Sequence, residues 1–379
     1  MLRFPAFDPP EYATWTPDPA LVREFAARIG RDESRRVIIE RLGREDLLEL
    51  YRRLVIARLQ DIGLKRWVRQ GVISKAWLGT GEEATTVGPV FALDRAVDYV
   101  SPMIRNQSAC GDMGMPIADV FRGYLAAANG PSRGRDVHIG SMAHHVVPPV
   151  SPVGVMVPVC AGIAMVAQMR GERSVVMTWI GDGSAKAGPS HEGLNFAAVR
   201  KVPAIFIIQN NQVALGTRLD QHHTTRTFDG WPGAYGVAGW SFDGNNVLDA
   251  FAATRLAAER CRKGEGPVIL LAETFRMGGH ATHDEREARS TFPADLFAYW
   301  GQRDPIGLYE EFLKGSGIRT EELVQLEHAA AEAVDSAAEE ALADRDHLPA
   351  PESALDGVYA TNSQDTSGDE QGDGWSHDT

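Results

Sequence analysis

The triplet Gly181-Asp182-Gly183 is followed, after 26 intervening residues, by Asn210-Asn211. Residues of these types at the ends of two chain segments can hold a divalent cation against a diphosphate. Mg²⁺ takes an octahedral shell of oxygens, usually one or two from protein side chains and the rest from phosphate and water. Asp182 offers a carboxylate, Asn211 an amide oxygen, and Val213, two residues on, a main-chain carbonyl. Gly181 and Gly183 let the backbone come close to the phosphates and present amide hydrogens to them. A bare Gly-Asp-Gly is as a rule only a turn. A second copy, Gly372-Asp373-Gly374, has no apolar run before it and no Asn-Asn after it, whereas the central copy has both. Other phosphate-binding patterns fit less well: Lys186 stands where the dinucleotide fingerprint needs glycine, and no Walker loop occurs.

Proton-transfer candidates are fewer. His280 lies in a glycine- and charge-rich stretch, residues 278–290, that follows an apolar run, and a mobile imidazole there can exchange protons near neutral pH. His138 is a second candidate. Lone histidines are more often surface or satisfied core residues, the reading given to His283, and the His222-His223 pair lacks metal-ligand spacing and is assigned no role. Arg105, taken alone, reads as a solvated surface charge.

These residues need a scaffold that brings strand ends together. Residues 174–180 (SVVMTWI), 204–208 and 268–272 are short apolar runs that read as buried strands, each ending in a polar loop. A helical stretch at about 190–200 separates the first two. Strand, loop, helix and strand in this order indicate a parallel sheet with crossover helices, in which ligands sit at the carboxyl ends of the strands. Leu47, Leu50, Tyr51 and Leu54 share one face of a helix expected over about 44–70, and a second helical stretch opens at Gly79-Thr80-Gly81-Glu82-Glu83, whose acids suit a helix N-terminus. Residues 320–343 read as an alanine-rich docking helix. The chain divides into an extended N-terminal arm (1–43), a body (44–345) and an acidic tail (346–379) without the apolar content to order itself.

Composition excludes several classes. The formal charge is -13, but residues 351–379 hold seven acids and no Lys or Arg, leaving about -6 elsewhere, which speaks against nucleic acid binding. Three cysteines with no Cys-x-x-Cys spacing support neither a disulfide framework nor a thiolate zinc site, and suit a reducing cytoplasm. Residues 137–169 lack charge altogether, yet Pro148, Pro149, Pro152 and Pro158 argue against a membrane helix. The segment reads instead as a buried loop feeding a buried helix.

The stretch GDGSAKAGPSHEGLNFAAVRKVPAIFIIQNN resembles the thiamine diphosphate motif in alpha subunits of 2-oxo acid dehydrogenases, the first component of pyruvate and branched-chain complexes. The resemblance spans about residues 44–313. IRNQS is similar to the segment whose Tyr-Arg pair meets the diphosphate, HIGS and SPVG to the loops around the cofactor, and TFRMGGHATHD to the active-site loop. It implies a thiamine-diphosphate-binding, transketolase-like α/β fold, a parallel sheet flanked by helices. It also implies Asp182, Asn211 and the Val213 carbonyl as Mg²⁺ ligands, with Gly181, Gly183, Ser184 and Arg105 at the diphosphate. Val153 would meet the aminopyrimidine through its backbone, Asn195 falls where the family also has asparagine, and His280, with His138 as a second candidate, would serve acyl transfer.

The activity so implied is oxidative decarboxylation of a 2-oxo acid, pyruvate or a branched-chain one, with acyl transfer to a lipoyl group on an acyltransferase component. A beta subunit would supply the rest of the cofactor site in an α2β2 tetramer; neither nucleic acid nor membrane is a partner. An acyloin (acetoin) dehydrogenase alpha subunit shares every motif, and a non-catalytic cofactor-binding relative would keep the fold. The sequence departs from the family pattern in three places. Ile104 replaces the tyrosine beside Arg105, Val155 and Met156 replace residues that hold a structural potassium ion in branched-chain members, and Ala281 replaces a serine phosphorylated in animal mitochondria.

Overall fold

The structure, a computed structural model, describes residues 15–356. The Gly372-Asp373-Gly374 copy and most of the acidic tail lie outside the described residues. Five parallel strands form the main sheet: β1 (Tyr99–Ser101), β2 (Val176–Gly181), β3 (Ala204–Asn210), β6 (Ala238–Asp243) and β7 (Val268–Glu273), in spatial order β1-β2-β3-β7-β6. A small antiparallel hairpin, β4 (Val213–Ala214) with β5 (Thr217–Arg218), follows β3.

The three apolar runs became β2, β3 and β7 because both faces of a helix-covered parallel sheet are dry, so uninterrupted apolar sequence is tolerated. Their side chains alternate between two cores. Met177, Trp179, Ile205, Ile207, Leu270 and Ala272 face one, with the Val247–Arg262 helix. Val176, Ile180, Phe206, Ile208, Ile269 and Leu271 face the other, with the Met156–Met169 and Gly188–Arg200 helices. A third core joins the Arg44–Arg69, Pro305–Gly315 and Thr320–Ala343 helices.

Four expectations change. The stretch expected as an extended arm carries two helices, Pro19–Ile29 and Glu33–Ile39, capped by Asp18 and Asp32. Leu21, Phe25, Ile38 and Ile39 bury one side of each in the third core. Residues 346–356, assigned to a disordered tail, fold back on the body: Ala128 N donates to His347 O (2.8 Å) and Arg135 Nη2 to Ser353 O (2.7 Å). The loop expected over 278–290 turns helical at Glu285–Thr291. The Met156–Met169 helix is buried on one face only, and Val159, Val166 and Met169 stand exposed on the other, where Phe196 and Val199 of the next helix are exposed as well. Among the described residues no helix is long and apolar enough to cross a membrane.

Candidate cofactor and metal site

The register of the central strands builds the site. Gly181 pairs with Gln209 and Asn210 with Glu273, so β2 and β3 end side by side and deliver Asp182 and Asn211 to neighbouring positions. Asp182 is buried; its Oδ1 accepts from Gly183 N (2.8 Å), while Oδ2 has no hydrogen-bond partner. Asn211 is buried as well and gives Nδ2 to Glu82 Oε1 (2.8 Å), leaving Oδ1 partnerless. Buried polar atoms almost always have partners, and a bare one costs roughly 1–3 kcal/mol. Two bare oxygens at adjacent strand ends, one from a carboxylate and one from an amide, fit a hard cation such as Mg²⁺. Among the described residues no three His, Cys, Asp or Glu side chains converge as a metal site; a ligand set that draws on an amide and a carbonyl is of a different kind. Burial pushes the Asp182 carboxyl above its ordinary value, with the Glu82 charge adding to the push. Val213, two residues after Asn211, opens the β4–β5 hairpin, and a Cβ at Gly183 would collide with Ala214 of that hairpin.

Glu82 lies at the centre of the polar network behind these ligands. Besides Asn211, its Oε1 accepts from Gln209 Nε2 (2.5 Å), and its Oε2 from Arg105 Nη1 (3.2 Å). Arg105 is buried and also donates to Leu78 O (3.2 Å) and His280 O (3.3 Å), so it is a site residue and no surface charge. Reading Glu82 as an acid of a helix's first turn missed this, because the helix starts at Ala84. The sequence carried no signal for it: Asp94 and Arg95, which flank the same uncharged run 84–93 at its other end, are exposed.

His280 sits against Arg105, with Nδ1 3.5 Å from Nη2. Its loop is pinned by Asp284, which accepts from His280 N (3.1 Å) and Ala281 N (2.8 Å), and by Thr282 N donating to Ala76 O (2.9 Å). Burial first, then the cations of Arg105 and Arg276, push the imidazole down to about 4. Arg276, a site residue the sequence reading missed, is buried and donates to Gly278 O (3.0 Å) and Leu215 O (2.7 Å). Burial and Arg105 bring it down to about 10, still a cation at neutral pH. Of the two guanidiniums, Arg105 lines a cavity and is the one placed to meet an anion, while Arg276 stands behind it.

A cavity of about 560 Å³ collects Arg105, His138, Val153, Ser184 and His280 on one wall system, with Trp77 and Trp179. His138 Nδ1 is 2.7 Å from Asp136 Oδ1. Val153 is 61% exposed, so the cavity is open on that side of this chain. Asn195 is exposed on its helix and does not line the cavity. His222, which spacing left without a role, lies with Nε2 3.7 Å from Asp182 Oδ2. Residues far apart in sequence are thus gathered at one end of the sheet, the arrangement expected for ligand binding in parallel α/β folds.

Residues 51–350 match the family described as "Dehydrogenase E1 component". The alpha subunit of 2-oxoisovalerate dehydrogenase from Bacillus subtilis (strain 168) is 32% identical over 321 residues, 83% of this chain and 96% of the relative. The alpha subunit of the pyruvate dehydrogenase E1 component from Bacillus cereus is 32% identical over 288 residues, 74% of each chain. Its counterpart in Acholeplasma laidlawii is 30% identical over 301 residues, 77% of this chain and 83% of the relative.

Proposed function

The chain belongs to the dehydrogenase E1 component family, and on that premise we propose that it is the alpha subunit of a thiamine-diphosphate-dependent 2-oxo acid dehydrogenase. The observation that carries this reading is the pair of bare buried oxygens, Asp182 Oδ2 and Asn211 Oδ1, beside a cavity with Arg105 and His280. Asp182, Asn211 and the Val213 carbonyl would hold Mg²⁺. Arg105, Gly181, Gly183 and Ser184 would hold the diphosphate, and the backbone at Val153 the ring at the open side. Thiamine diphosphate, when bound, supplies the electron sink that lets a 2-oxo acid lose carbon dioxide.

The work of this chain's own residues is binding and proton placement. Arg105 orients an anion through a guanidinium fork already fixed by Glu82 and Leu78. His280, once a bound anion offsets the Arg105 and Arg276 cations beside it, would hold a proton for the lipoyl sulfur that departs as the acyl group is transferred. His138, oriented through Asp136, is a second proton-carrying group on the cavity wall. The substrate is a 2-oxo acid, pyruvate or branched-chain, in keeping with both kinds of relative. The acyl acceptor is the lipoyl group of an acyltransferase component, and a beta subunit is the assembly partner. An α2β2 assembly is supported by the open cavity side at Val153 and by the exposed apolar side chains of Val159, Val166, Met169, Phe196 and Val199. Three buried free thiols, each pushed up to about 12, suit a reducing cytoplasm.

The test is co-expression with a beta-type subunit and release of ¹⁴CO₂ from carboxyl-labelled pyruvate and 2-oxoisovalerate, with acylation of a free lipoyl domain. Release with one substrate, together with lipoyl acylation, is expected. An assembled complex that binds the cofactor and releases nothing, but acylates the lipoyl domain from acetoin, would make the chain an acyloin dehydrogenase subunit; one inactive with all three substrates would make it a non-catalytic relative.

A further inference from the structure

We propose that Glu82 is a positioning residue: its carboxylate turns the Asn211 amide so that the oxygen is left for the metal, and ties that amide to the arginine of the anion site. The inference rests on the cofactor reading above and deepens it.

An asparagine amide presents an oxygen or an NH₂ group depending on which way it is turned, and only the oxygen can ligate a cation. A carboxylate accepts hydrogen bonds and donates none. With Glu82 Oε1 2.8 Å away, the amide face toward Glu82 is the NH₂, and Oδ1 is the atom left without a partner. Glu82 is held against turning in its own right. Asn106 Nδ2 donates to Thr86 Oγ1 (2.7 Å) and to Gln209 Oε1 (3.0 Å), which commits the Gln209 NH₂ to Glu82 (2.5 Å). The other carboxylate oxygen takes Arg105 (3.2 Å).

The turn that carries Glu82 is fixed from behind. Asp61 Oδ2 accepts from Gly79 N (2.8 Å) and Thr80 Oγ1 (3.1 Å), and Glu83 Oε2 accepts from Gly81 N (2.9 Å). Gly79 packs so tightly on the Arg105 carbonyl that a Cβ there would overlap it. Because a carboxylate only accepts, Glu82 sets the sense of the bonds that run through Gln209 and Asn106 to Thr86 as well as that of the bond from Asn211. Partners of this kind, one shell out from a metal, typically change its affinity by roughly 10- to 100-fold when removed.

The test uses the chain assembled with its beta-type partner, Mn²⁺ as the probe in the presence of thiamine diphosphate, and free Mn²⁺ read by electron paramagnetic resonance. Wild type must bind Mn²⁺ in a cofactor-dependent way; if it does not, the cofactor reading fails before this inference is reached. Glu82→Gln is expected to weaken Mn²⁺ binding by roughly 10- to 100-fold. Asn211→Asp is the sharper arm. A carboxylate adds negative charge at a cation ligand, so electrostatics alone would tighten binding, whereas a carboxylate facing Glu82 must weaken it. In the double variant the amide introduced by Glu82→Gln can donate to the carboxylate introduced by Asn211→Asp, so binding should recover to within roughly tenfold of wild type, a coupling between the two sites. Unchanged affinity in Glu82→Gln, tighter binding in Asn211→Asp, or a double loss equal to the product of the single losses would each overturn the proposal. Should Glu82→Gln fail to assemble, the sign of the Asn211→Asp effect decides alone.

Discussion

Two groups of buried charge flank the Gly79–Glu83 turn, and they are built on opposite plans. Behind it, Arg58, Glu83 and Asp304 are each almost wholly buried and are joined to one another, Arg58 to Glu83 and Arg58 Nη2 to Asp304 Oδ2 at 3.0 Å. Asp304 Oδ1 also caps the Pro305–Gly315 helix through Ile306 N (2.9 Å) and Gly307 N (2.8 Å). In front of it, Asp182 and Asn211 each keep one buried oxygen bare. In a joined group, removing one member leaves the others buried without their counter-charge, which costs stability. A bare oxygen costs stability and is retained where a ligand uses it. The difference separates residues that make the protein from residues that make the site.

The comparison is most exposed at Asp182. Asp182→Ala should abolish binding of Mg²⁺ and thiamine diphosphate, as read by calorimetric titration of the assembled enzyme, because few other oxygens can take its place. The apo protein should lose no stability. A carboxyl raised in the folded state favours folding below the unfolded value of 3.8 and opposes it as pH climbs through the folded value, so its removal relieves a penalty at neutral pH. A clear fall in the melting temperature of the apo variant would move Asp182 to the structural group.

His280→Ala should leave cofactor affinity nearly intact, since Asp182, Asn211 and Arg105 carry it, and slow acylation of a free lipoyl domain by roughly 10²- to 10⁴-fold, the range for a lost general acid. A single-turnover rate within about threefold of wild type would leave His280 as an ordinary loop residue. Proteolysis with and without cofactor would show whether the substituted loop had melted.

The opposite behaviour is expected behind the turn. Arg58→Met leaves Glu83 and Asp304 buried with their common partner gone, which should cost about 3–5 kcal/mol of folding free energy. Protein that remains folded should bind cofactor as wild type does. Urea unfolding and calorimetric titration of the same sample separate the two effects, and unchanged stability would end the distinction between the groups.

How much of this was legible in the sequence follows from what each part depends on. β2, β3 and β7 were readable because a dry sheet demands apolar runs, and Asp182 and Asn211 because strand ends put them where ligands bind. β1 and β6 were not read: β1 has three residues, and β6 carries Gly239, Ser241 and Asp243 in a half-buried setting that gives no uninterrupted run. The Pro19–Ile29 and Glu33–Ile39 helices are short and gain their order from packing on the third core, a tertiary effect. Glu82, Arg276 and His222 were missed for one reason. Each acts across the fold, Glu82 on Asn211 over 129 positions, and local spacing carries no trace of such a contact.

The smallest effect concerns the acid limb of stability, and it asks whether His280 belongs with the waiting groups or with the satisfied ones. Its imidazole is pushed from 6.5 down to about 4 by burial and then by the Arg105 and Arg276 cations. A base whose folded value is depressed binds protons less readily folded than unfolded, so the contribution to stability is full above 6.5 and is lost as pH falls toward 4. His280→Gln should therefore flatten the fall in apo stability between those values, by a modest amount because the ring is partly solvated. If the guanidiniums are waiting for a diphosphate, its negative charge should offset theirs and let the imidazole rise toward neutrality, where it can carry the proton that acyl transfer needs. Nuclear magnetic resonance titration of the His280 ring, assigned by its absence in His280→Gln, measures this directly. An upward move on adding Mg²⁺ and thiamine diphosphate is expected. A ring that titrates near 4 in both states would show that the bound diphosphate does not offset the two cations, and would leave His280 unable to act as an acid at neutral pH.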